Sequence, residues 1–226
     1  MVKALINLFF PKLCNGCNCL LLNNESVICV KCRHGMPYTY HHVIDNNEIM
    51  SKFYGILPVE QATAMLYFHS KGMAQELIHN LKYRKQEEIG TILGSIYAHE
   101  LINSDKIPKV DYIIPTPIHK KRLQERGYNQ VTTFCEALSK ELQIPIENEV
   151  LFRIKHTKTQ TKKSKIKRAE MLSNNFEIKL KDHHIGKHYL LIDDVITSGA
   201  TIEACAKALL EIPGSKVSLL AIAYTQ

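Results

Sequence analysis

The sequence predicts an α/β fold: a mainly parallel sheet with helices on both faces, preceded by a small N-terminal four-cysteine module. Three observations predict it. From residue 56 onward, short apolar runs alternate with segments of helical periodicity. The run "HYLLIDDVI" (188–196) is apolar up to a pair of acids, as in a strand buried on both faces. Four of the seven cysteines form two Cys-x-x-Cys pairs within residues 14–32.

Taken in order, residues 3–10 read as a short amphipathic helix, and 11–40 are rich in cysteine and turn formers. Residues 41–55 are polar and read as a connector. "ILPVEQATAMLYF" (56–68) reads as two short strands in a hairpin-like arrangement. Leu77, Ile78 and Leu81 mark one face of a helix over 73–83, and 89–102 repeats the pattern. "VDYIIPTP" (110–117) is a buried strand stopped by prolines. Residues 128–142 are helical by the alignment of Val131, Phe134, Leu138 and Leu142, and a short strand follows near 150–154. Residues 153–168 carry eight Lys or Arg and no acid, which suggests an exposed loop or frayed hairpin. A strand (188–193), a helix (200–211) and a strand (216–224) follow. The division expected is 1–45 for the cysteine module and 46–226 for the α/β domain.

The chain has 226 residues, 45% of them apolar, and a formal charge of +7. That balance favours polyanions as partners: nucleic acid, phosphorylated metabolites or an anionic membrane surface. No apolar run reaches the roughly 20 residues of a membrane span. Residues 1–14 lack a small-residue cleavage site, so the location expected is cytoplasmic.

Cys14-x-x-Cys17 and Cys29-x-x-Cys32, with eleven residues between the pairs, supply four thiolates. Each pair can hold one edge of a tetrahedron, so a structural Zn²⁺ with a closed shell of four thiolates is expected. Redox-active pairs and an iron–sulfur site are the rival readings, and Cys19 and His34 are nearby alternates. The module is either a structural clip or a binding finger.

Asp193 and Asp194 fall at the carboxyl end of their strand, where open α/β sheets hold ligands. Thr197, Ser198, Gly199, Ala200 and Thr201 then turn into a helix, and the N–H groups of such a turn cradle an anion. Carboxylates repel a phosphate, so they must touch another part of the same ligand. Vicinal hydroxyls, directly or beside Mg²⁺, meet that need, and the ligand so described is a ribose carrying a phosphate. No Walker A signature is present, which argues against an ATPase.

"LLIDDVITSGAT" resembles the phosphoribosyl pyrophosphate (PRPP) motif of type I phosphoribosyltransferases. "CNGC…CVKC", "IPTPIHKKRLQERGYNQ" and "RIKHTKTQTKKSKIKRAEM" resemble, in this order and over nearly the full length, the ComF family of late-competence proteins. The resemblance implies a type I phosphoribosyltransferase-like domain in which Asp193 and Asp194 face the ribose hydroxyls and the 197–201 loop holds the 5′-phosphate. Pro115, Thr116 and Pro117 would form the pyrophosphate loop, with Arg122 and Arg126 facing pyrophosphate or DNA. Residues 157–168 match the loop that covers the site, with Gln160 and Arg168 its typical members; Lys162, Lys163, Lys165 and Lys167 are further candidates for DNA. Lys163 and Met171 depart from the family pattern. Thr197 replaces an Asp common in purine enzymes, which points away from purine salvage. The function implied is a PRPP-binding accessory protein that handles incoming single-stranded DNA in natural transformation, using Mg²⁺ with PRPP and structural zinc. A competence helicase or recombination proteins are possible partners. The alternative is an active phosphoribosyltransferase with an unidentified acceptor, and no acceptor pocket is legible.

The cluster His119, Lys120, Lys121, Arg122 and Arg126 fits pyrophosphate, a nucleic-acid backbone or a solvated helix start. Tyr38, Tyr83 and Tyr128 are ordinary packing or base-stacking residues. His41–His42 and His183–His184 lack a third ligand of suitable spacing and are expected to be polar loop histidines.

Overall fold

The computed structural model describes residues 11–105, 109–154 and 175–226. Its strands are β1 (Ala62–Tyr67), β2 (Tyr112–Pro115), β3 (Leu151–Arg153), β4 (Phe176–Ile178), β5 (His188–Ile196) and β6 (Lys216–Tyr224). Its helices are α1 (Val30–His34), α2 (Glu48–Phe53), α3 (Met73–Tyr83), α4 (Glu88–Ser104), α5 (Lys120–Arg126), α6 (Thr132–Leu142) and α7 (Ala200–Leu210). Four strands make one parallel sheet in the order β1-β6-β5-β2. β3 and β4 pair antiparallel beside it.

Alternation along the central strands explains the layers. Leu190, Ile192, Leu220 and Ile222 face a core shared with α3, α4 and α6. Tyr189, Leu191, Val217, Leu219 and Ala221 face a second core under α2 and α7. Helices therefore cover both faces, as the apolar run predicted. Gly90 and Gly94 let α4 approach α6 closely: a Cβ on Gly94 would lie 2.7 Å from Phe134 O.

The sequence reading holds best where periodicity is strong. The 73–83 helix and the 216–224 strand have the bounds expected. Residues 56–68 do not form a hairpin. Only 62–67 are strand, and Ala62 pairs in parallel with Leu219, so a distant partner overrides the local pattern. The polar connector contains α2, because the buried Asn47 caps it by accepting the N–H groups of Ile49 and Met50, both at 3.0 Å. The Asn47 amide also donates to Ala62 O at 2.9 Å and ties that helix to β1. Residues 120–126 are helical too, ended by Gly127 at φ 85°.

The histidine expectation needs correction. His41 and His184 are buried. Glu147 supplies the missing third group beside the second pair, with its Oε2 3.4 Å from His184 Nε2 and 3.7 Å from His183 Nε2. His184 Nδ1 accepts the Lys181 N–H at 3.1 Å, so its Nε2 carries the hydrogen and donates to Glu147. That tautomer makes the trio a hydrogen-bonded cluster rather than a ready ligand set. The expected 3–10 helix, and Gln160, Lys162, Lys163, Lys165, Lys167 and Arg168, lie outside the described residues.

Candidate functional site

The carboxyl ends of β2 and β5 lie side by side, and the chain leaves them toward opposite faces: β2 leads to α6, β5 to α7. A crevice at such a switch point is where open α/β sheets bind ligands. Asp193, Asp194, Thr116 and the 197–201 turn all meet there. Thr116 N–H donates to Ile192 O at 2.8 Å, which binds the predicted pyrophosphate loop to the acidic strand. Thr116 is buried, and its Oγ1 has no hydrogen-bond partner among the described residues.

Gly199 has φ 82°, a left-handed conformation that L side chains rarely adopt. A Cβ there would lie 2.9 Å from the Phe53 ring, so α2 backs the turn directly. Lys52 of the same helix passes beside it and holds its Nζ 5.6 Å from the Tyr224 ring centroid. Thr197 and Ser198 are exposed, and Ser198 Oγ accepts the Ala200 N–H at 3.4 Å. The turn thus presents hydroxyls and the free N–H groups of an 11-residue helix to the crevice.

The two acids differ. Asp194 is buried and each of its oxygens has a partner: Lys82 Nζ lies 2.8 Å from Oδ1, and Gln130 Nε2 donates to Oδ2 at 2.5 Å. Arg126 donates to Gln130 Oε1 at 2.7 Å and stacks 5.0 Å from the exposed Tyr83 ring centroid. Asn129 donates to Thr116 O at 3.0 Å, and Tyr128 OH to Leu81 O. The motif "RGYNQ" is thereby fastened to α3, β2 and β5 at once. Asp193 is half-buried, and its Oδ1 accepts the Asp194 backbone N–H at 2.9 Å. Burial first, and then the Asp194 charge, push the Asp193 carboxyl up to about 7, against the pull of Lys82 and Arg153.

Arg126 and Gln130 therefore join the site, while Arg122 is exposed on α5. Lys82 and Arg153 escaped the sequence reading. Lys82 follows Ile78 by four positions, on the buried stripe of α3, and a lysine on that stripe was the available signal. Arg153 gave none, because only the β3–β4 pairing brings it near Asp193. Of the three tyrosines, Tyr83 is exposed, while Tyr38 bridges to Leu66 at the β1 edge and Tyr128 is hydrogen-bonded.

The four cysteine sulfurs form a second site, all within 4.8 Å of one another. Cys17 and Cys29 sulfurs are 3.7 Å apart, against about 3.8 Å for one edge of a tetrahedron of ~2.3 Å Zn–S bonds. Cys14 Sγ accepts N–H groups of Cys29 at 3.2 Å and Gly16 at 3.4 Å. Burial raises the Cys14 thiol, but those N–H groups outweigh it and bring it down to about 7. Burial and the neighbouring sulfurs push Cys32 well up. A cation resolves this crowding of sulfurs, and the cluster could hold a metal such as zinc. Cys19 and His34 are not part of it.

The chain is 26% identical over 216 residues to DNA utilization protein YhgH of Escherichia coli K12, covering 94% of this chain and 90% of that protein. It is 30% identical over 151 residues to competence protein F of Haemophilus influenzae, covering 65% and 66%. Over 203 residues it is 29% identical to competence protein ComFC of Bacillus subtilis, covering 88% and 78%. The chain is a homologue of the ComF proteins. No family model matches this ComF homologue. Among solved structures it is similar to the glutamine PRPP amidotransferase of B. subtilis, with TM-score 0.44, 15% identity, and coverage of 64% of this chain and 30% of that one. Adenine phosphoribosyltransferase of Saccharomyces cerevisiae gives TM-score 0.38 and 14% identity, covering 63% and 72%. Among the described residues, no helix of the ComF homologue is long and apolar enough to cross a membrane.

Proposed function

We propose that this chain binds PRPP with Mg²⁺ at the β2–β5 crevice and serves natural transformation as a cytoplasmic accessory protein that handles incoming single-stranded DNA. One observation carries the ligand: the acidic pair, the left-handed Gly199 turn and the Thr116 loop converge at the carboxyl ends of two adjacent parallel strands. A ribose between two anionic groups fits that layout. The 197–201 turn takes the 5′-phosphate, the 115–117 loop the pyrophosphate, and the acidic pair serves the hydroxyls between them. The unpartnered Thr116 hydroxyl and the Arg126 guanidinium support the pyrophosphate end. Mg²⁺ would screen the pyrophosphate charge. Zinc on Cys14, Cys17, Cys29 and Cys32 would be structural.

The DNA role is supported by the names of the ComF relatives and by the +7 charge. A competence helicase or recombination proteins are the partners this role implies. Calorimetry with PRPP and Mg²⁺ tests the ligand: saturable binding is expected, and Thr201→Ala should weaken it by about 10- to 150-fold, the range for hydrogen bonds to charged groups. Absence of binding to the wild type rejects the PRPP reading. Release of pyrophosphate in the presence of an acceptor would instead favour an active phosphoribosyltransferase.

A further inference from the structure

The 197–201 turn offers an anion hydroxyls and the N–H groups at the start of α7, which together are equivalent to roughly half a positive charge. Asp193 lies on the same face of β5 as Leu191, so a carboxylate stands on this side of the sheet too. Arg153 acts on that carboxylate. Lys52 is placed differently. Its Cε lies 3.6 Å from the point that a Gly199 Cβ would take, and its Nζ stands 5.6 Å from the Tyr224 ring centroid. Among the described residues, the Lys52 ammonium makes no hydrogen bond and no ion pair. Glu48, one turn earlier on α2, is the partner that helical spacing provides. Its two oxygens instead face the Gln226 amide nitrogen, at 3.3 and 3.4 Å. The position of Lys52 is fixed by its neighbours: Phe53 is buried against Gly199, and Asn47 caps α2 and ties it to β1.

Resting on the PRPP reading above, we propose that Lys52 is the cation of the phosphate turn: its ammonium pairs with the terminal phosphate held by residues 197–201 and makes the turn selective for a sugar that carries one. A phosphomonoester bears about −1.5 to −2 charge at pH 7, more than the N–H groups of one turn balance. An ammonium on a long stem is a compact point charge suited to such a group. Cε already lies beside the turn, so rotation about the last bonds of the side chain carries Nζ from the Tyr224 ring toward the anion. The cation–π contact is a weak hold that the phosphate replaces. The segment 41–55, a connector by its sequence, thereby contributes a residue to the site.

Calorimetry on the full chain with PRPP and Mg²⁺ tests this. Lys52→Met keeps the stem and removes the charge, and it should weaken PRPP at least about tenfold, as loss of a bond to a charged group does. Lys207→Met removes a charge from α7 itself, where Lys207 pairs with Glu203 at 2.6 Å, and should leave affinity within about threefold of wild type. Competition titrations locate the loss. In Lys52→Met the inhibition constant of ribose 5-phosphate should rise by the same factor as the PRPP dissociation constant, and that of magnesium pyrophosphate should stay where it is. Wild-type affinity in Lys52→Met overturns the proposal. So does a loss shared by magnesium pyrophosphate, which would mean a distorted crevice, or an equal loss in Lys207→Met, which would mean net charge. If Lys52→Met lowers the ligand-free thermal midpoint, Lys52→Gln decides by the same two inhibition constants. A wild type that binds no PRPP rejects the ligand reading and this role with it. Wild-type binding that Lys52→Met leaves intact rejects the role of Lys52 alone.

Discussion

The cysteine module and the acidic crevice are both clusters of crowded like groups, and they are held together in different ways. The four sulfurs come from residues 14–32, gathered by two tight turns whose N–H groups point at the sulfurs. The crevice gathers groups from α3, Thr116, the 126–130 segment, β3 and β5, spread along most of the chain. One region could take an outside cation between its sulfurs, and the other carries its own, Lys82. They share a single helix. At its start Met73 packs within reach of Gly16, and Asn80 donates to Asn15 O at 3.0 Å; two residues on, Lys82 enters the crevice. A disturbance of the module therefore has a short, rigid route to Asp194.

The comparison breaks most visibly at the metal. Cys32→Ser should remove one equivalent of zinc, measured by elemental analysis, and melt the module. Structural zinc sites in small peptides supply about 10–16 kcal/mol, far more than a module of this size gains from its own core. Zinc retained in the variant would take Cys32 out of the site, and a wild type without zinc would show that the sulfurs are held by packing alone.

The next effect concerns Asp193, and its sign is opposite for stability and for binding. The folded protein keeps the Asp193 proton to about pH 7, while the unfolded chain releases it near the ordinary value of 3.8. Stability therefore falls as pH rises from about 4 to about 7, and the loss is complete above that. Asp193→Asn removes this loss, so at pH 8 its thermal midpoint should lie above wild type, by about 2–4 °C per kcal/mol in a chain of this size, while PRPP binding falls. A lower midpoint at pH 8 would show that Asp193 stabilises the empty crevice.

Gly199→Ala should cost about 1–3 kcal/mol, because it forces a side chain into a left-handed conformation against Phe53. Thermal unfolding and PRPP affinity should both report it; a neutral result would show that α2 yields freely. The smallest effect is on DNA. Replacing Lys162, Lys163, Lys165 and Lys167 together should flatten the log–log salt dependence of single-strand binding by about 2–3 units. A wild-type slope in that variant moves the DNA surface to the cysteine module.

Much of this was legible in the chain, for different reasons in the two regions. The Cys-x-x-Cys spacing is a local signal, and the structure brings together the four sulfurs it named. Asp193, Asp194 and Gly199 were legible because a strand, a turn and a helix follow one another without a break. Lys82 and Arg153 were hidden because their roles depend on α3 meeting β5 and on β3 meeting β4. The hairpin expected at 56–68 fails for the same reason: the partner of β1 is β6, not its own neighbour.

That pairing has a consequence for how the protein comes into being. β6 lies between β1 and β5, although it is the last of the four sheet strands to leave the ribosome. Ala62 faces Leu219, so β1 must wait until residue 219 has been made before its hydrogen bonds can close. Non-local pairing of this kind makes assembly slow and leaves two strand edges open in the interim. A translation product that stops before residue 216 would keep both edges exposed, with β1 detached from the strands that build the crevice. Synthesis of residues 216–224 is then the event that turns a set of tethered pieces into a sheet, and a ribosome stalled there would hold an aggregation-prone intermediate.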